Sequence, residues 1–156
     1  MISITKSGEA LSKEHSQIKV LDCTDMPLGH WRVRCNGIEL ALNVNQTETE
    51  PETLIRGHYL FLGVEQGIFV IDLSTSDVIN EVRGVSCVQW IDADASDQVI
   101  FSAEDELVVL DNTGQLMWRK NFPDIIETTN IENGLLVITD ISGGDYKLDV
   151  RSGNSL

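Results

Sequence analysis

Basic residues are scarce in this sequence: 11 Lys and Arg stand against 25 Asp and Glu, for a formal net charge of -14 over 156 residues. Such an imbalance repels polyanions, which argues against nucleic acid and anionic membrane as partners. It attracts cationic proteins, an effect that salt weakens. The same charge also serves solubility alone. Cysteine is sparse as well. The three residues Cys23, Cys35 and Cys87 are an odd number, which suits reduced thiols better than a disulfide framework. No apolar run approaches the roughly 18 residues of a membrane span. Met1 to Lys6 lack a cationic start followed by an apolar stretch. These absences lead to the expectation of a cytoplasmic protein. Helix signals are nearly missing too, and Ala10 to Val20 is the one short helical candidate.

What is present is an apolar content of 42%, enough for a globular core, and an internal repeat. Leu60 to Asp72, Val99 to Asp111 and Val137 to Asp149 align without a gap, so the aspartates recur after 39 and then 38 residues. Each segment reads as a hairpin: an apolar run, a short polar turn and a second apolar run. The turns are Glu65-Gln66-Gly67, Glu104-Asp105-Glu106 and Ser142-Gly143-Gly144. The runs are continuous and not alternating, which is the pattern of strands covered on both faces.

Beyond each aspartate lies a second turn (residues 74–77, 112–115 and 151–154). A further strand then follows at Val78 to Val82 and at Leu116 to Lys120. Upstream of the hairpins, Ile38 to Val44, Val85 to Ile91 and Ile125 to Ile131 are candidate first strands. Four antiparallel strands in about 39 residues match a β-propeller blade. The stretch Leu107-Val108-Val109-Leu110-Asp111-Asn112-Thr113-Gly114-Gln115-Leu116-Met117-Trp118 resembles a blade of the pyrroloquinoline-quinone-type (quinoprotein) repeat. That repeat runs from an apolar strand through Asp and a Thr-Gly turn to Trp. Leu148 to Gly153 is a looser match, and Ile71 to Ser76 looser again. The resemblance implies blade-like structure over residues 38–156. The units are too few for the cofactor-binding ring, so no cofactor is expected.

The fold expected is all-β, with stacked four-stranded antiparallel units forming a half-propeller or a minimal propeller-like ring. One domain spans residues 1–156. Residues 1–36 make an irregular first unit or cap, with strands at Gln17 to Cys23 and His30 to Cys35, and residues 37–84, 85–123 and 124–156 make blade-like units. Ile4 to Leu11 resembles Asp149 to Leu156 through a shared Ser-Gly turn. An open stack would leave an apolar sheet face at an end, to be met by a partner or by self-association.

No catalytic constellation stands out. There is no Gly-x-Ser-x-Gly elbow and no phosphate loop, and the few histidines have no obvious nucleophile neighbour in sequence. Cys23, His30 and Cys35 are not spaced like a structural zinc site. Asp92 to Asp97 echoes a calcium loop but lacks the Gly and Glu that such a loop requires. The expectation is therefore a non-enzyme without a metal. The acidic connections carry the functional reading. Glu48, Glu50 and Glu52, then Asp92, Asp94 and Asp97, then Glu132 are expected on equivalent connections, forming one negative face. Trp90 stands at its border as a possible interface anchor or as core; Trp118 is expected in the core. Such a face fits a basic protein partner through charge-assisted hydrogen bonds. The leading expectation is a protein-binding module, an immunity-type inhibitor that occludes a basic toxin such as a nuclease. The alternatives are a small-molecule-binding or sensor domain, or a degenerate fragment of an enzyme propeller.

Overall fold

The computed structural model describes residues 1–7, 19–23, 28–45 and 49–156. Most of the helix candidate at Ala10 to Val20 lies outside these. Among the described residues, fifteen strands form four sheets. The second sheet is the meander β5 (Glu52–Arg56), β6 (Tyr59–Val64), β7 (Gly67–Asp72) and β8 (Val78–Arg83). The third repeats it with β9 (Val88–Ala93), β10 (Val99–Ala103), β11 (Glu106–Leu110) and β12 (Leu116–Asn121). The fourth holds β13 (Ile126–Glu132), β14 (Leu135–Asp140) and β15 (Asp145–Asp149), with Ser155 bridging to Leu148 beyond its edge.

The first sheet departs from the repeat. It contains β1 (Ile2–Ser7), β2 (Lys19–Asp22), β3 (Gly29–Cys35) and β4 (Ile38–Val44) in the order β1-β3-β4-β2, with β2 parallel to β4. The strand Ile38–Val44, expected to open the blade at 37–84, belongs here instead. It pairs along its length with β3 through a tight Asn36-Gly37 turn, where both residues have positive φ. The blade is opened by β5, whose mixed sequence Glu-Thr-Leu-Ile-Arg gives a weaker signal.

Burial follows position in the stack. Every residue of β10 and β11 is buried, as are five of six in β6 and β7, because sheets cover both faces. Three cores fill the gaps. Leu42 and Trp31 meet Leu60 and Phe69 between the first and second sheets. Phe61 and Val70 meet Val99 and Phe101 between the second and third. Ile100 and Val109 meet Ile138 and Leu148 between the third and fourth. None of these cores joins the fourth sheet to the first, and the described residues form no closed ring.

Among the described residues the outward sides of the first and fourth sheets are mostly polar, which corrects the expectation of an apolar open end. In β14 burial alternates, so Leu136 and Ile138 face the core while Val137 and Thr139 face out. Their cross-strand neighbours on the outer face are Thr128, Asn130, Asp145 and Lys147. The first sheet turns His30, Arg32, Arg34, Glu39 and Asn43 outward. Arg32 and Arg34 both bond Glu39, and His30 bonds Asn43 at 2.8 Å. Polar end faces are what a finite stack of repeats needs for solubility.

Candidate functional site

The recurring aspartates Asp72, Asp111 and Asp149 are turn caps, and Asp140 caps the hairpin between β14 and β15 in the same way. Asp111 Oδ1 accepts the N–H groups of Thr113 and Gln115 at 2.8 and 2.9 Å and the Thr113 hydroxyl at 2.7 Å. Asp140 does the same with Ser142 and Gly144, and adds the Tyr146 hydroxyl at 2.8 Å. Asp72 accepts from Ser74, and Asp149 from Ser152. A short side chain that bonds the backbone two residues on is the reason Asp recurs here. These bonds favour the ionised form. Asp72 and Asp149 titrate below the ordinary carboxylate range chiefly through the hydroxyls of Ser74 and Ser152, and Asp140 chiefly through the Gly144 N–H. For Asp111 burial works upward, and the bonds from Thr113 and Gln115 outweigh it.

Alternating strand directions sort the connections onto two rims. The hairpin at 94–98 and the turns at 73–77, 111–115 and 150–154 lie on one, here the upper rim. The hairpins at 65–66 and 104–105 and the linkers between sheets lie on the lower rim. Four of the candidate residues gather on the upper rim. Asp92 is exposed and accepts the Ala93 N–H at 2.7 Å. Asp97 faces Arg56 of the second sheet at 3.8 Å. Glu132 is exposed at the end of β13. Asp94 is only 6% exposed and accepts the N–H groups of Ser96 and Gln98 at 3.0 and 2.8 Å, so it caps its own turn. Between the third and fourth sheets this rim opens as a groove of about 700 Å³, lined among others by Asp92, Asp94, Asn133, Asp149 and Arg151.

Glu50 and Glu52 are not on that rim, and Glu48 lies outside the described residues. The single negative face is thus corrected to two separate rims. Residues 45–51 link the first sheet to the second, whereas the true counterpart of the 94–98 turn is Gly57-His58. Glu52 pairs with Gly63 next to the lower hairpin. Its carboxyl is held above the ordinary range, first by burial and then by the charge of Glu50. A cleft of about 710 Å³ opens on this rim, lined by Glu65, Arg83, Ser86, Cys87 and Glu104 among others. Trp90 does not protrude as an anchor: it is half-buried on β9 against the core between the third and fourth sheets. Among the described residues no group of three or more His, Cys, Asp or Glu is placed to hold a metal ion.

Two contacts that order these rims are invisible in the linear sequence. Glu106, expected in a turn, opens β11 and is 2% exposed. It receives the Arg119 guanidinium at 3.1 Å and the Ser86 N–H at 2.9 Å, and Arg119 also bonds the carbonyls of Arg83 and Gly84. That cluster ties the linker between the second and third sheets to the lower rim. On the upper rim, Trp118 Nε1 donates to the Val150 carbonyl at 2.7 Å, joining the third sheet to the last turn. Only the Trp-containing stretch of the repeat hinted at this second contact.

No protein-family model and no curated protein matches the chain. Solved structures do match in fold. BamB from Moraxella catarrhalis superposes with a TM-score of 0.58 at 15% identity, over 82% of this chain and 44% of that one. Saccharomyces cerevisiae Sqt1 gives 0.56 at 11% identity, over 82% and 43%. A europium-containing methanol dehydrogenase gives 0.53 at 14% identity, over 68% and 23%. These are β-propeller proteins, and this chain is propeller-like in fold, spanning less than half the length of each. The likeness is one of architecture alone.

Proposed function

We propose that this chain is a protein-binding module that engages a basic partner with its upper rim, at the groove between the third and fourth sheets. The observation that carries the reading is the joint placement of exposed Asp92 and Glu132 beside that groove, on a turn stiffened by Asp94 and a tight Asn133-Gly134 hairpin. Carboxylates on fixed turns meet Lys or Arg with little ordering cost. The fold supports the choice, since a rigid stack presents its connections as two ready surfaces. The reading is of a cytoplasmic protein that acts by occlusion and not by chemistry. An immunity-type inhibitor of a basic toxin is its sharpest form, and rests on charge alone. The small-molecule alternative called for a mostly apolar pocket. At least half of the residues lining each large groove are polar or charged, which favours a protein partner.

The test is capture from native cell extract with the wild type and with Asp92→Lys/Glu132→Lys, at low and high salt. A basic protein retained by the wild type, lost with the double reversal and weakened by salt supports the reading. A partner retained equally by both forms removes the upper rim from it.

A further inference from the structure

We infer that the groove between the third and fourth sheets holds a guanidinium subsite, which the chain's own Arg151 fills until an arginine of a partner displaces it. The subsite belongs to the partner-binding rim proposed above and rests on that reading. It adds the chemistry of the incoming side chain and a resident that competes with it.

The first support is the resident itself. Arg151 stands in the last turn of the fourth sheet, and its Nη2 lies 3.5 Å from Ser96 Oγ, in the turn of the third sheet across the groove. Among the described residues that line the groove it is the one cation, in the company of the carboxylates of Asp92, Asp94 and Asp149. A guanidinium is thus already drawn over this wall. Its contact with Ser96 is long and exposed, so an incoming cation displaces it at little cost.

The second support is an acceptor left over at the groove wall. Asp94 is only 6% exposed, and its Oδ1 takes the N–H groups of Ser96 and Gln98. Its Oδ2 takes no hydrogen bond among the described residues, yet it is not sealed from solvent. A carboxylate held rigid by its own turn, with one oxygen still to be met, suits a charge-assisted bond from a cation. Asp92 adds an exposed carboxylate two residues away. A planar guanidinium fork can serve two acceptors at once, which an ammonium point charge does less well, so the geometry favours arginine over lysine.

NMR titration with the peptides triarginine and trilysine, followed at the Ser96 amide, tests this. Arg151→Gln should bind triarginine about threefold more tightly than the wild type does, because the resident is gone. Lys147→Gln removes the same charge from the outward side of the fourth sheet, away from the groove lining, and should leave the affinity nearly unchanged. Trilysine should bind Arg151→Gln about threefold more weakly than triarginine. Arg151 is exposed, so its replacement leaves the fold intact, and an unchanged unfolding midpoint verifies that. Asp92→Lys/Glu132→Lys separates the subsite from the rim. Triarginine binding that this double reversal does not weaken removes the rim, and the subsite with it. Binding that falls with the double reversal but is no tighter in Arg151→Gln than in the wild type overturns the subsite and leaves the rim standing. So does an equal gain in Arg151→Gln and Lys147→Gln, which would be net charge alone, or equal affinity for the two peptides. No binding of triarginine by Arg151→Gln also overturns the subsite.

Discussion

The indole of Trp118 lies beside Gly153, so close that a Cβ at 153 would sit 2.8 Å from Cδ2 and 2.9 Å from Cε3. Gly153 also has φ of +67°. One sheet's outer strand thus packs onto the next sheet's turn, and the Trp118 N–H locks the contact by bonding Val150. Gly114 repeats the theme one sheet earlier, against Val70.

Gly153→Ala therefore carries two penalties, and a second glycine separates them. Gly84 has the same φ of +67° but nothing within 4 Å of a Cβ. Gly84→Ala should cost about 1 kcal/mol, for the backbone conformation alone. Gly153→Ala should cost roughly 3 kcal/mol, because the indole must also move. Urea unfolding of both variants measures the difference. Equal costs would show that the indole yields freely.

Replacing Arg119 should be more damaging than its surface position suggests. Arg119→Leu strands the 2% exposed Glu106 carboxylate with one remaining donor, the Ser86 N–H. A loss of about 3 kcal/mol is expected, with the linker at 83–86 loosened. Adding Glu106→Gln should recover part of it by removing the buried charge. A double variant no better than Arg119→Leu would contradict this account.

The capping aspartates set the acid response. Asp72, Asp111, Asp140 and Asp149 titrate lower in the folded chain than when unfolded. Their stabilisation is complete above the unfolded value, about 4, and is lost as pH falls through the folded values. Denaturant midpoints should hold from neutral pH to about 5 and drop steeply below 4. Asp111→Asn should be less stable at neutral pH and show a shallower drop. An unchanged slope would mean the turn bonds do not need the charge.

Glu52 works in the opposite sense. Its carboxyl is raised by burial and by Glu50, so ionisation opposes folding as pH rises through that value. Glu52→Gln should stabilise the protein at pH 7 and lose that advantage in acid. Thermal unfolding at the two pH values checks both the sign and its disappearance.

The repeat was legible because burial on both faces leaves continuous apolar runs, as in Leu60–Leu62 and Leu107–Leu110. The boundary with the first sheet was not legible. Ile38–Val44 has the composition of a blade strand, and only the partner strand β3 decides where it pairs. The rim assignment of Glu50 and Glu52 failed with it, since strand direction sets the side on which a connection emerges. The outward side of the fourth sheet was hidden for a related reason: Val137 and Leu135 look like core in a linear reading, yet among the described residues no sheet packs over them. Glu106 and Arg119 meet only through folding, and nothing in their spacing announces it.

Each core joins two adjacent sheets and no others. The molecule therefore behaves as a short one-dimensional array, in which a middle layer is held from both sides and an end layer from one. Amide hydrogen exchange should grade outward: slowest in Leu60–Val70 and Ile100–Leu110, faster in Ile2–Ser7 and Asp145–Asp149. Loss of order would then begin at the extremities and travel inward, leaving the central pair of layers as the last to come apart.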